Sequence, residues 1–417
     1  MTILVRKAII KDPSSTFHNQ LCDILIKDGL ITEISANIQA TADQVIDFNN
    51  QLVSPGWIDS FTISTDPGYE HKDTLESISE SAAKGGYTHV LLSPNTKPVV
   101  QNKTSIDYIK NHSLTRPVEF HPIGAITKNT EGKELAEMFE MQDSGAIAFS
   151  DGTKPIQSAG LMIKALQYVK AFNGIVVQIP DETSISTNGQ MNEGIVSTQI
   201  GLKGKHKIAE TIMVSRDIEL AEYTKSRLHL TGITTVDSLS LVSNAKNNGL
   251  DVSCSVTPQH LFFSEDDLRN YDTNLKMNPP LRSKQEMKLL LQAVKDGKVD
   301  CIATHHTPQH IDMKLCEFEY AGDGMLCLES AFGMLGHLDI PLDVTLDMIC
   351  FKPRSIFNLR SSISIGEKAD LTIFNSSEEY NFSKEHIISK SMNSPMVGKK
   401  LKGYVHATIL NDMVNIN

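Results

Sequence analysis

Short apolar runs recur through the middle of the chain, and each is followed by turn or helix-forming residues. They are THVLLSP (88–94), VEFHPIGAI (118–126), GAIAFSD (145–151), GIVVQIP (174–180), RLHLTGI (227–233), LDVSCSVTP (250–258) and VDCIATHH (299–306). GWIDSFTISTDPG (56–68) precedes them with the outline of a further strand that stops at a Pro-Gly turn. Several of the intervening stretches have helical period. DTLESISESAAKGG opens with Asp73 or Thr74 as a cap, and SKQEMKLLLQAVKDG stops at Gly297. Strands that are apolar on both faces and alternate with helices define a parallel sheet, and the number of repeats fits an α/β (β/α)8 TIM barrel. In a barrel of this kind, polar residues at the C-terminal ends of the strands form the active-site set. Here that set is Asn95, Asp151, Gln178, Gly232, His305 and His306.

Both ends of the chain read differently from the middle. ILVRKAII, CDILIKDGLITEI and QVIDFNNQLVSPG near the start, and KADLTIF and GYVHATILNDMVNI near the end, are alternating runs bounded by turns. We therefore expect residues 1–53 and 360–417 to build one small β-sandwich domain, with the barrel spanning 54–359. A length of 417 residues suits one large and one small unit.

The net charge of -11 argues against a phosphate-binding surface, so neither nucleic acid nor an anionic membrane is expected as a partner. The short basic run KGKHK (203–207) reads as a solvated loop. No stretch approaches the roughly 18 apolar residues of a membrane span. The first residues carry no cleavage pattern, and cytoplasmic residence is the expectation. The six cysteines are scattered without a Cys-x-x-Cys pair, which indicates neither a disulfide framework nor a cysteine metal site.

An ordered series of motifs resembles the class I dihydroorotases of the cyclic amidohydrolase superfamily. VSPGWIDS…DPGYEHKDTLESISESAAKGGYTHVLLSPNTKPV resembles their opening, and GAIAFSDG, MNEG, HKIAETIMVSRDIELA, VTPQHL, LKMNPPLR, IATHHTPQH, GMLCLESAF and GEKADLTIF follow in order. The resemblance covers nearly the whole chain. It implies hydrolysis or closure of a cyclic amide in pyrimidine biosynthesis, with one or two zinc ions activating water and polarising the carbonyl.

Carried over position by position, the resemblance puts the family's first two metal histidines on Phe61 and Ile63 and its bridging carboxylate on Asp151. The next two histidines fall on Gln178 and Gly232, with His229 matching a non-ligand histidine. The general-base Asp falls on His305, between Thr304 and His306. The carboxylate-binding Arg is Thr65, and the histidine of the Ala-Pro-His segment is Gln309. Asn95, Asn278 and Ala321-Gly322 remain as substrate-pocket residues. One retained carboxylate is too few for a zinc site, so no cofactor is expected.

The expectation is thus a dihydroorotase-like pseudoenzyme acting as a structural or regulatory partner. The resemblance points to aspartate carbamoyltransferase as that partner and to a homodimer as the assembly. Two alternatives compete with it: a hydrolase of dihydroorotate or another cyclic amide with an altered site around Asp151 and His305, and a metal-free metabolite sensor.

Overall fold

The computed structural model describes all 417 residues. Five strands come first: β1 (Thr2–Ile10), β2 (Leu21–Lys27), β3 (Leu30–Ser35), β4 (Gln44–Ile46) and β5 (Leu52–Pro55). Then follow β6 (Trp57–Thr62), β7 (Tyr87–Leu92), β8 (Glu119–Gly124), β9 (Ala148–Phe149) and β10 (Ile175–Gln178). A two-strand ribbon of β11 (Met191–Asn192) and β12 (Gly204–Lys205) precedes β13 (Arg227–Leu230), β14 (Val252–Val256) and β15 (Cys301–Ile302). The chain ends with β16 (Asp370–Asn381), β17 (Lys400–Leu410) and β18 (Met413–Ile416).

Strands β6 to β10 and β13 to β15 form an eight-stranded sheet in sequential order, and every pairing in it is parallel. A bridge between Thr62 and His306 joins its two edges. Helices intervene as their caps dictate. Thr74, rather than Asp73, is the N-cap of helix Leu75–Lys84, its side chain accepting from the Ser77 N–H. Helix Lys284–Lys295 starts on Ser283, and the chain leaves it through Gly297 at φ +71°.

Closure of the barrel depends on Asp59. From β6 its fully buried carboxylate accepts from the Thr304 N–H at 2.7 Å and the Thr304 hydroxyl at 3.0 Å, just beyond β15. Backbone bonds from His305 N to Phe61 O and from Ile63 N to His306 O, both 3.0 Å, continue the seam. Ile58, Phe61, Leu91, Ile123, Ala148, Ile175, Val177 and Ala303 fill the interior as one apolar cluster. Burial drives this packing, and interdigitated side chains leave the barrel a core and not a pore.

The terminal strands build the β-rich domain expected from both ends of the chain, hydrogen-bonded in the order β18-β17-β16-β5-β1-β2-β3, with β4 also on β1. An irregularity interrupts β1, where Lys7 has φ +48°. The first half of β1 pairs with β4 and the second half with β5, so one strand serves both neighbours. Residues such as Ile24, Val53, Ile373 and Ile409 form the main core of this sheet, and Leu4, Leu25 and Ile38 form a smaller one.

The sheet is tied to the barrel through Trp57, whose ring lies 4.6 Å from Phe332 and 5.2 Å from Phe374. Asp370 adds a polar tie. Its carboxylate accepts from Thr88 Oγ1 at 2.7 Å and from the Arg354 guanidinium at 2.6 Å.

Asp59→Ala leaves the buried Thr304 N–H without an acceptor. It is expected to lower unfolding free energy by about 3 kcal/mol, and Asp59→Asn, which keeps one acceptor, by clearly less. Denaturant melts of the three proteins measure the difference, and equal stability of Asp59→Ala and the parent would refute the closure role.

Candidate functional site

At the C-terminal mouth of the barrel lies a cavity of about 670 Å³, a size typical of small-molecule sites. Thr65, Asn95, Ile179, Asn278 and His305 are among its lining residues, with Lys72, Lys97 and Lys154 also contributing. Ile63 lines it as well, whereas Phe61 is fully buried beneath it in the barrel core. Ala321 and Gly322 do not reach the cavity wall. Ala321 is buried, and the Gly322 N–H donates to Met313 O.

Asp151 is buried at the end of β9, and both of its carboxylate oxygens are occupied. One accepts from the Thr127 N–H at 2.9 Å and the other from the Thr127 hydroxyl. Burial pushes its carboxyl up to about 6, against the opposing pull of those hydrogen bonds. Asn95 supports the same turn, donating to Asp151 O at 3.0 Å and accepting from the Thr153 N–H at 3.0 Å.

Gln178 is not part of the mouth. Alternate residues along β10 face the barrel interior, so Ile175 and Val177 point inward and Ile179, just past the strand, lines the cavity. Gln178 therefore points the other way. Its amide donates to Asp217 at 3.2 Å and accepts from the Ile156 N–H at 3.3 Å. The position that looks into the site is Ile179, one residue later than the sequence reading placed it, and it too lacks a metal-binding atom.

His305 holds φ +45° and packs against Phe61, the ring centroids 4.9 Å apart and the planes tilted by 42°. Ser255 donates to Thr231 Oγ1 at 2.7 Å, which leaves the Thr231 hydroxyl proton for His305 Nε2 at 2.8 Å. That bond occupies the ring's acceptor lone pair. Burial, together with the nearby His260 and His229, pushes the imidazole down to about 3, so it is neutral and a poor base. A Cβ added at Gly232, which has φ +71°, would come within 2.7 Å of the His305 ring. His306 turns away from the cavity, its Nδ1 accepting from the Cys327 and Leu328 N–H groups at 3.1 and 3.2 Å.

These residues do not fit a catalytic zinc. The cavity is lined by Asp181, held by Lys205, by Asp323 and by one imidazole, His305, with Asp151 bound to Thr127 below them, and no three of these donors come together, where at least three protein donors are needed. Ile63 and Ile179 add only apolar surface to the cavity wall, and Phe61 is buried beneath it. The expectation of no metal anywhere in the chain is nevertheless too broad. His89, Glu119 and His121 bring potential donor atoms within 4.8 Å of one another elsewhere in the barrel.

A buried polar group at the cavity was hidden in the run read as a solvated loop. Lys205 is buried, pairs with Asp181 at 2.5 Å and donates to Asn278 Oδ1 at 2.6 Å. Asn278 is thereby fixed as a wall residue. Only the alternation of KGKHK could have flagged Lys205, because β12 pairs with β11 and its side chains alternate.

The fold and mouth together define a cyclic-amidohydrolase barrel with an attached β-rich domain. The L-hydantoinase (dihydropyrimidinase) from Arthrobacter aurescens superposes with a TM-score of 0.87 at 23% identity, covering 99% of this chain and 95% of that one. A family model described as Dihydro-orotase-like matches residues 50–238. The dihydroorotases of Acetivibrio thermocellus and Geotalea daltonii are 38% and 37% identical, each match covering 99% of this chain and 98% and 99% of the relative. The chain belongs to the dihydroorotase family. No helix is long and apolar enough to cross a membrane.

Two outcomes test this description. Asp151 has its carboxyl raised from an unfolded value of about 3.9 to about 6. The folded state thus binds the proton more tightly, and the resulting stabilisation is full below about pH 4 and lost as pH rises through about 6. The stability of Asp151→Asn relative to the parent should therefore rise by of order 2 kcal/mol between pH 4 and pH 7.5. Thermal melts across that range check it, and a flat difference would contradict it. Lys205→Met leaves Asp181 buried and unpaired and should cost about 3–5 kcal/mol, read from urea unfolding.

Proposed function

We propose that this chain is a catalytically silent member of the dihydroorotase family, serving pyrimidine biosynthesis as a structural or regulatory partner. The observation that carries this reading is the mouth of the barrel. Ile63 and Ile179 line it above the buried Phe61, Asp151 is bound to Thr127, and His305 is neutral and bonded to Thr231. A base that accepts a proton near neutral pH and a metal-activated water are both without a supporting group. Aspartate carbamoyltransferase is the proposed partner on family resemblance, and a homodimer the proposed assembly.

A second reading is that the protein hydrolyses dihydroorotate. The relatives' shared name, at 37–38% identity over almost the full chain, favours it over the silent reading as far as likeness goes. Lys72, Lys97 and Lys154 at the cavity also suit an anionic ligand, as they outnumber Asp323 and Asp181 is already neutralised by Lys205. The same lysines would serve a metal-free metabolite sensor.

The deciding experiment is dihydroorotate hydrolysis by protein purified without chelator, assayed with and without added zinc. The silent reading expects no turnover above background in either case. Zinc-dependent turnover that is lost in Asp151→Asn would overturn it and establish the hydrolase. Co-purification with aspartate carbamoyltransferase, and loss of that enzyme's activity when this chain is removed, are the expected results for the partner role.

A further inference from the structure

The opposite end of the barrel carries a cluster that the mouth chemistry does not use. In the parallel pairing of β7 with β8, His89 lies beside Glu119 and Leu91 beside His121. Side chains alternate along both strands, and Leu91 and Ile123 belong to the barrel interior. His89 and His121, two residues before them, therefore point into the same interior, near the N-terminal end. Their ring nitrogens, His89 Nδ1 and His121 Nε2, are 2.9 Å apart, and Glu119 Oε2 is 3.9 Å from His89 Nδ1.

We propose that His89, Glu119 and His121 form a binding site for a divalent cation of the zinc class, separate from the position the family uses. The protonation pattern is set by Asp370. Its carboxylate receives the Arg354 guanidinium and the Thr88 hydroxyl, so it acts only as an acceptor, and His89 Nε2 at 3.1 Å must donate to it. His89 Nδ1 then accepts from His121 Nε2 at 2.9 Å, and a bound ion would take the place of that proton, with His121 carrying its hydrogen on Nδ1 instead. A carboxylate behind an imidazole is the arrangement that orients metal-bound histidines.

The spacing is close to what such an ion requires. Two nitrogens each 2.0–2.1 Å from a tetrahedral zinc lie about 3.3 Å apart, so the pair needs to open by only a few tenths of an ångström. Glu119 supplies the third donor and is 45% exposed, which gives the ion a path from solvent, while both histidines are buried. The fourth position falls to water. The site lies at the far end of the barrel from the cavity, so it acts on stability: through His89 and Asp370 the ion would join β7 and β8 to the terminal sheet.

The test uses the full chain and metal salts alone. Equilibrium dialysis against zinc chloride, read by elemental analysis, is expected to show a single bound equivalent, and cobalt(II) is expected to give the visible absorption of a tetrahedral centre. Glu119→Gln and His121→Gln should each weaken binding at least about tenfold and abolish the cobalt bands. His310→Gln, at a half-exposed imidazole beside Asp312, should change neither. Zinc should raise the melting temperature of the parent and not of Glu119→Gln. Substoichiometric zinc in the parent, or unchanged affinity in Glu119→Gln, would overturn the site. Because Glu119 is partly exposed, that variant remains informative if His121→Gln fails to fold.

Discussion

Everything at the barrel mouth depends on how the first and last barrel strands are joined. Asp59 holds that seam, its carboxylate bonded to the backbone and side chain of Thr304. The same seam positions Ile63 and His305 at the cavity and Phe61 just beneath it. A buried carboxylate costs free energy unless it is hydrogen-bonded, and here the bonds also close the sheet. The seam therefore survives independently of any metal, because its energy comes from backbone pairing and from Asp59.

That independence explains how apolar side chains can stand at 61, 63 and 179 without loss of the fold. Phe61 joins the barrel core, His305 packs against it, and the space above is lined partly by Ile63 and Ile179. The polar groups that remain are engaged by neighbours: Asp151 by Thr127, His305 by Thr231, and Asn278 by Lys205. Such a network holds its members still. The cavity survives beside it, walled by polar side chains and edged by lysines.

Much of this was legible from the chain alone. The apolar runs alternating with capped helices gave the barrel, because a strand buried on both faces and a helix with one apolar face each leave a recognisable period. Three details were not legible. Gln178 was read as a mouth residue when the mouth residue is Ile179, since shifting a strand by one position exchanges its faces. Lys205 looked like part of a solvated basic run, because burial of a lysine depends on Asp181, which is 24 residues away in the chain. His89 and His121 carried no signal at all, as they stand on different strands and meet Asp370 only in three dimensions.

The sequence by itself determined the architecture, the family, and that no histidine stands at positions 61, 63, 178 or 232, because periodicity and side-chain identity are local properties. Only the tertiary structure decided which residues face the cavity, which lone pairs are already engaged, and that His89, Glu119 and His121 share one pocket. Those are matters of distance between segments far apart in the chain, and distance is set by packing.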